Sequence, residues 1–171
     1  MEIKIVTDLA TEPVTLAEAK AFLRISNDSE NSLITELITD ARMRLEKFTN
    51  LSFGAKTIKC RWNALDGWQE IPYQPNAVIT ECKNDAGNTL TYETRGLEYK
   101  QLYCINNTGV TITYTTGFTT LPKALKQAIL KEVATNYENR ENYLIGDSVN
   151  ELSSSARMTA QSYSRNTLLG I

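Results

Sequence analysis

The sequence contains no histidine among its 171 residues. This absence excludes a Ser-His-Asp or Cys-His catalytic centre, an HExxH zinc site and a histidine-based pH switch. Cysteine is scarce too: Cys60, Cys82 and Cys104 stand 22 residues apart and form no CxxC pair. Since an odd number at this spacing is typical neither of a disulfide framework nor of a zinc site, we expect three buried thiols in strands.

Neither an excess of one charge nor a long apolar run is present. Lys and Arg number 18 against 20 Asp and Glu, so no long-range attraction to nucleic acid or to an anionic membrane is expected. No apolar run approaches the roughly 20 residues that span a bilayer, and the N-terminus lacks the apolar stretch of a signal peptide. Glycine-rich phosphate loops are also missing. We therefore expect an intracellular chain that takes no cofactor and no metal and contacts no membrane.

What the chain does contain begins with helical signals. Thr15-Leu-Ala-Glu18 is a capping box, in which the threonine hydroxyl and the glutamate carboxylate satisfy free backbone N–H groups. It predicts a short helix from Ala17 to Arg24. Residues Glu30 to Thr49 predict a longer second helix, because apolar side chains recur there at helical spacing. These side chains are Leu33, Ile34, Leu37, Ile38, Ala41, Leu45 and Phe48.

Residues 55–120 change in character and predict a β-rich insert. β-branched and aromatic residues dominate them, and turn signals recur about every dozen residues. That spacing suits antiparallel hairpins and favours a small sheet or an open barrel. The candidate strands are Thr57–Trp62, Val78–Lys83, Thr89–Glu93, Tyr99–Cys104 and Val110–Tyr114.

A third helix is predicted over residues 121–144, where Pro122 suits the first helical position and Gly146 can end the run. Residues 148–171 are rich in Ser and Thr and end in apolar residues, so we expect them to be disordered or to order on a partner. The expected fold class is α+β, a helical body with an inserted antiparallel β sheet or small open barrel. The predicted division is a body over 1–147, with helices in 15–50 and 121–144, and a C-terminal docking tail over 148–171.

Groups that could carry chemistry are few. The carboxylate pairs Asp66/Glu70 and Glu138/Glu141 could divide acid and base roles. One pair flanks a predicted turn and the other lies on an exposed helix side, so we interpret both as solvated charge and predict no catalytic residue. The aromatic side chains of the insert, which could stack on sugars or bases, lie among six basic and six acidic residues. We interpret them as sheet core and subunit contact.

Three lysines distinguish the third helix. Lys123 and Lys126 lie in its first turns, where the helix dipole disfavours cations, and Lys131 follows. Carboxylates or phosphates of a partner could compensate for this placement, and a solvated face is the alternative. Since residues 1–54 carry six basic and nine acidic residues, we hypothesise that this acidic third meets the lysines of a neighbouring copy.

Three segments together resemble the head–tail connector, or adaptor, proteins of tailed bacteriophages and prophages. They are Pro13–Ile25, which contains the Thr-Leu-Ala-Glu-Ala-Lys opening, the amphipathic helix Leu33–Thr49, and the Pro-led helix Leu121–Glu141 with its Tyr-Glu-Asn-Arg sequence. Their order, with a β-rich insert between the second and the third, is similar to the layout of that family.

The resemblance implies a structural, non-enzymatic subunit of the virion neck that assembles in the host bacterial cytoplasm as a ring of about twelve copies. Such a ring joins the portal of the DNA-filled head to the next neck or tail protein and extends the DNA channel without sequence-specific binding. The resemblance also implies that residues 153–171 dock on the portal, and that their deletion leaves the monomer folded but abolishes portal binding. The expected subunit or portal contacts are Lys123, Lys126, Lys131, Arg157, Tyr163, Arg165, Leu168, Leu169 and Ile171.

Two alternatives stay open from the sequence. One is a neck-completion or tail-terminator protein, which would also be a ring subunit. The other is a small module whose aromatic sheet binds a sugar or a peptide. The native mass separates them, because a ring protein forms a large oligomer and a binding module is a stable monomer with affinity for its ligand.

Overall fold

The computed structural model describes residues 1–65, 67–104, 107–139 and 152–165. Helices and antiparallel strands are both present, which confirms the expected α+β class. The chain divides into two compact units, a β unit (Met1–Ala10 with Leu51–Thr120) and a helical unit (Thr11–Asn50 with Leu121–Ile171). Among the described residues, no helix is both long and apolar enough to cross a membrane.

The β unit contains two antiparallel sheets. A four-stranded sheet has the order β1-β2-β7-β4, and a three-stranded sheet has the order β3-β6-β5. The strands are β1 (Glu2–Thr7), β2 (Lys56–Leu65), β3 (Trp68–Glu70), β4 (Val78–Lys83), β5 (Glu93–Arg95), β6 (Gln101–Tyr103) and β7 (Asn107–Thr116).

The core of the β unit lies on one face of the central pair β2 and β7. Ile58 pairs with Tyr114 and Cys60 pairs with Ile112, and all four side chains are buried. Alternate residues of a strand point to opposite faces, so this register places a continuous apolar surface on one side of the sheet. The buried phenol of Tyr114 donates a hydrogen bond of 2.8 Å to the carbonyl oxygen of Pro72, which satisfies its polar tip.

The edge strand β1 is absent from the sequence prediction, which treats residues 1–54 as helical. It pairs with β2 so that Ile3 lies opposite Cys60 and Ile5 opposite Ile58, on the core side of the sheet. All six residues of β1 are nevertheless exposed. An exposed edge that carries apolar side chains is a surface on which other strands can pair.

Most of the predicted strands of the insert are confirmed, and one is wrong. Val78–Lys83 is β4 with the predicted bounds, and the strands predicted at Thr57, Tyr99 and Val110 correspond to β2, β6 and β7. Thr89–Glu93 is not a strand, because only Thr89 bridges β4 and β5 begins at Glu93. β3 is too short for alternation to reveal it.

The three cysteines are buried free thiols, as the sequence predicts. Cys60 lies on β2 and Cys82 on β4, and Cys104 directly follows β6. Burial raises the pKa of the Cys60 and Cys82 thiols to about 12 and raises that of Cys104 as well. Because the thiolate is the reactive form, these residues behave as small apolar side chains.

The helical unit contains α1 (Leu16–Leu23), α2 (Asn31–Thr49), α3 (Lys123–Glu138) and α4 (Ser154–Gln161). The predicted capping box is confirmed, since the Thr15 side chain accepts from the Glu18 N–H and the Glu18 carboxylate accepts from the Thr15 N–H at 2.9 Å. α2 occupies the predicted range almost residue for residue and ends at Asn50, which adopts the left-handed conformation common at helix ends.

α3 ends before its predicted boundary, and α4 lies in the predicted tail. Pro122 is the N-cap of α3 rather than its first residue, and the helix ends at Glu138. The rest of the predicted helix, from residue 140 onward, and its expected stop at Gly146 lie outside the described residues. Part of the segment expected to be disordered is therefore a helix within the chain.

A buried arginine fastens α2 to the residues before α1. Arg42 is 2 % exposed, and its Nε and Nη1 donate at 2.8 Å to the carboxylates of Glu12 and Glu46. Glu46 is on the same helix four residues later, whereas Glu12 comes from the preceding connection. A charge this deeply buried is tolerated only with such partners.

Candidate functional site

The C-terminal segment of the helical unit packs as a helix on α3. The two alanines of α4, Ala156 and Ala160, are fully buried, and their four-residue spacing places them on one face. At the N-terminus of α4 the Ser153 hydroxyl accepts from the Ala156 N–H, which makes a serine cap. Small side chains on one face let two helices approach closely, so the two alanines allow α4 to pack tightly on α3.

Glu132 of α3 holds the start of α4. Its side chain is 1 % exposed, and one carboxylate oxygen accepts the Ser153 N–H at 2.9 Å. The other oxygen lies 3.8 Å from the Arg44 guanidinium on α2. A buried carboxylate therefore joins α2, α3 and the N-terminus of α4, where the helix dipole favours negative charge.

Hydrogen bonds to the end of α2 fix the point at which the described chain stops. The Arg165 N–H donates to the Thr49 carbonyl at 2.9 Å, and the Ser164 hydroxyl donates to the Phe48 carbonyl at 3.3 Å. The Arg157 guanidinium lies 5.8 Å from the centre of the Phe48 ring. The last described residues are therefore fixed beside the C-terminus of α2.

The structure brings four of the predicted contact residues together in the α3–α4 region. Lys131 donates a 2.9 Å hydrogen bond from α3 to the Thr159 hydroxyl on α4, so it fastens α4 within the chain. Arg157 is exposed on α4, and Tyr163 and Arg165 are half-buried after it. The predicted contacts Leu168, Leu169 and Ile171 lie outside the described residues.

The N-terminal turn of α3 lies against α1. The Lys126 ammonium contacts the Glu18 carboxylate at 2.6 Å, so the cation that the sequence marks as badly placed has a partner inside the chain. Lys123 is exposed, and no ion pair of the described residues includes it. Of the two lysines, only Lys123 is available for the predicted contact without breaking an existing pair.

The hydrogen bond from Lys126 lowers the pKa of Glu18 from 4.5 to about 2, and the hydrogen bonds of the Thr15 cap contribute to the shift. A carboxyl whose pKa is lower in the folded state stabilises the fold above pH 4.5, and this contribution is lost as the pH falls toward 2.

Lys126→Ala is expected to move the Glu18 pKa part of the way back to 4.5, measured by NMR titration of its carboxylate. Lys123→Ala is the matched control and leaves the pKa near 2; equal shifts in both variants would contradict the pairing.

A cavity of about 390 Å³ opens between α1 and α3. Its walls are mainly apolar and include Phe22, which is 47 % exposed, and Leu130. The Glu18–Lys126 pair and the exposed Lys123 line the cavity as well. We call this feature the α1–α3 groove. Its volume lies at the lower end of the roughly 300–1,000 Å³ typical of ligand pockets, which suits one or two side chains better than a cofactor.

Four of the aromatic side chains of the β unit are buried or stacked on a neighbour. Trp62 and Tyr114 are buried, and Trp68 stacks on Tyr103 with ring centres 5.2 Å apart. The Arg95 guanidinium lies 4.3 Å from the centre of the Trp68 ring. Since Trp68 already has two partners, this cluster favours a structural role over recognition of a sugar or a base.

The described residues contain no group of three or more acidic or cysteine side chains arranged to hold a metal ion. Asp66 and Glu141, one member of each candidate carboxylate pair, lie outside the described residues. The candidate functional features of the described residues are therefore two surfaces, the α1–α3 groove and the exposed edge of β1.

Sequence reasoning missed the buried charges of Arg42 and Glu132, although a signal for each was present. Arg42 stands four residues after Ile38, and Glu132 stands four residues after Ala128, so both occupy positions in the apolar stripe of their helix. A charge within such a stripe predicts a buried, paired group. For β1 the signal is the alternation of Ile3 and Ile5 with charged neighbours.

The sequence of this chain matches a known protein family over most of its length. The model of the phage gp6-like head-tail connector protein family matches residues 13–166. No curated protein is significantly similar in sequence. The family resemblance that the three sequence segments carry is thereby confirmed.

Solved structures share the fold at low sequence identity. A chain from the neck of an empty GTA particle, computed with C6 symmetry, matches with a TM-score of 0.76 and 17 % identity, covering 96 % of this chain and 95 % of that one. A chain from the virion of a native gene transfer agent particle gives 0.73 and 19 %, and one from the neck of the native particle, computed with C12 symmetry, gives 0.72 and 17 %, with the same coverage. At these identities the likeness is one of fold.

Proposed function

Because the chain belongs to the phage gp6-like head-tail connector family, we propose that it forms a closed ring in the neck of a virion, between the portal and the next neck or tail protein. The family match over residues 13–166 carries this proposal, since it spans α1, α2, α3, α4 and the β-rich insert. The fold likeness to a chain from a neck computed with C12 symmetry supports a ring of about twelve copies.

A closed ring requires two different, complementary surfaces on each copy. The α1–α3 groove is our candidate for one of these surfaces. We hypothesised from the sequence that the acidic residues 1–54 meet the α3 lysines of a neighbouring copy, but one of these contacts is made within the chain. Glu18 already neutralises Lys126 within the chain, so Lys123 remains for an intermolecular contact.

Residues 166–171 are the proposed portal-binding segment, with Leu168, Leu169 and Ile171 as its apolar anchors. Arg165 directly precedes this segment in the sequence and adds a positive charge. Apolar residues at the end of a chain have little to bury against by themselves, and a groove on a partner provides that surface. α4 packs within the helical unit, so we do not count it as part of this segment.

The ring is proposed to let DNA pass without holding it. A formal net charge of −2 per copy gives no general attraction to phosphate, whereas a basic channel would bind the backbone firmly. We propose that the chain performs no catalysis. We further propose that it assembles in the cytoplasm of a host bacterium and remains in the neck of the particle.

Native mass spectrometry and negative-stain microscopy of the protein, alone and with its portal protein, test the ring. The expected result is a single closed oligomer, most readily in the presence of the portal, with a mass that is a fixed multiple of the monomer. A protein that remains monomeric at micromolar concentration with the portal present would overturn the proposal. Binding to a tail protein but not to the portal would assign it instead to neck completion.

A further inference from the structure

The turn between β5 and β6 presents a large apolar side chain to solvent. Leu97 is 94 % exposed, more than any other large apolar residue described. Its neighbour Glu98 is also exposed and is in no ion pair of the described residues. We call residues 96–100 the Leu97 turn. A surface leucine needs no explanation by itself, so the case depends on how the turn is held.

The Leu97 turn is held in place by its own unit. Gly96 has φ of +97°, and a Cβ there would lie 2.1 Å from the Tyr99 carbonyl oxygen, so only glycine fits this tight turn. The Glu98 carbonyl accepts the Asn76 N–H at 2.8 Å. The buried Gln74 side chain hydrogen-bonds both the N–H and the carbonyl of Lys100. The turn thus displays Leu97 in a preorganised conformation, and little entropy is lost when it binds.

The α1–α3 groove has the complementary chemistry. Phe22 and Leu130 contribute apolar lining, and the exposed Lys123 lines the same groove. Lys123 is the first residue of α3, where the helix dipole adds to the preference for a negative partner. An apolar side chain followed directly by a carboxylate matches a groove that is lined by apolar side chains and by an exposed cation.

We propose that the Leu97 turn of one copy inserts into the α1–α3 groove of the next copy in the ring, with Glu98 pairing with Lys123. This inference rests on the proposed ring. It deepens that proposal, because a protruding turn and a receiving groove on the same chain are the two unlike surfaces that head-to-tail contacts require. The carboxylate sets the register of the contact, and the leucine supplies the apolar burial.

Charge reversal of one side chain at a time in the otherwise wild-type protein tests the contact between the Leu97 turn and the α1–α3 groove. Glu98→Lys and Lys123→Glu are each expected to raise the protein concentration needed for ring formation by roughly ten- to a hundredfold, as is Leu97→Ser. The double variant Glu98→Lys with Lys123→Glu restores assembly. Glu93→Lys, an exposed carboxylate on the adjoining β5, is the matched control and leaves assembly unchanged.

A mixture of the two single variants distinguishes a contact between copies from one within a copy. In a ring of alternating variants every junction has opposite charges, so the mixture forms rings at concentrations at which neither variant does alone. Rings of wild-type stability from both single variants, or no rescue in the mixture, would overturn the inference while leaving the ring proposal intact. A wild-type protein that forms no ring with the portal would remove the ring proposal itself.

Discussion

A chain that ends at Arg165 is expected to melt at the temperature of the full-length protein and to lose detectable binding to the portal. All described contacts of α4 lie before residue 166, among them the buried Ala156 and Ala160 and the Arg165 N–H to Thr49. The truncation removes residues 166–171, which contain the proposed apolar anchors. Calorimetry and surface plasmon resonance with immobilised portal rings measure the two effects.

A chain that ends at Leu152 is expected to behave differently, and here the structure changes the original prediction. Removing residues 153–171 also removes α4, exposes the surface of α3 that it covers and takes the Ser153 N–H away from the buried Glu132. The lost burial of α4, together with the hydrogen bond lost from the Glu132 carboxylate, costs roughly 3 kcal/mol or more. Urea unfolding of the two truncated chains measures this difference.

The control for both truncations is a full-length chain in which Leu168 and Leu169 are changed to serine. It keeps the length and the backbone of the segment and is expected to bind the portal as poorly as the chain ending at Arg165. If the chain ending at Arg165 binds the portal with wild-type affinity, the proposed portal-binding segment is wrong.

Features that are local in sequence could be predicted. The capping box of α1, the apolar stripe of α2 and the alternation of β7 each depend on residues a few positions apart, and each is confirmed. Such patterns reflect backbone hydrogen bonding and one-sided burial, which short segments already determine. The short strand β3 has too few residues for a pattern to emerge.

Features that depend on distant partners could not be predicted. α4 has too little apolar surface to predict a stable helix by itself, and its alanines are buried only because α3 covers them. The partner of Lys126 is Glu18, which lies more than a hundred residues away in the sequence. The helix dipole predicts that a carboxylate is favourable near Lys126, but it does not indicate which residue of the chain supplies that carboxylate. The groove likewise exists only once α1 and α3 lie side by side.

Replacing Arg42 with methionine is expected to destabilise the protein by about 3–5 kcal/mol, because the substitution removes the guanidinium from two carboxylates while Glu46 stays buried. The methionine side chain fills similar space, so little of the loss comes from a cavity. Lys47→Met, an exposed position on the same helix, is the matched control and is expected to change stability by less than about 0.5 kcal/mol. Urea unfolding measures both variants.

The double variant Arg42→Met with Glu46→Leu separates loss of pairing from loss of packing. If the cost of the single variant comes from a buried carboxylate without its cation, removing that carboxylate restores much of the stability, although two native side chains are now absent. Glu12, which is 26 % exposed, can be solvated and needs no replacement. A double variant as unstable as Arg42→Met alone would show instead that the arginine acts through packing, because only a charge imbalance can be repaired by a second deletion.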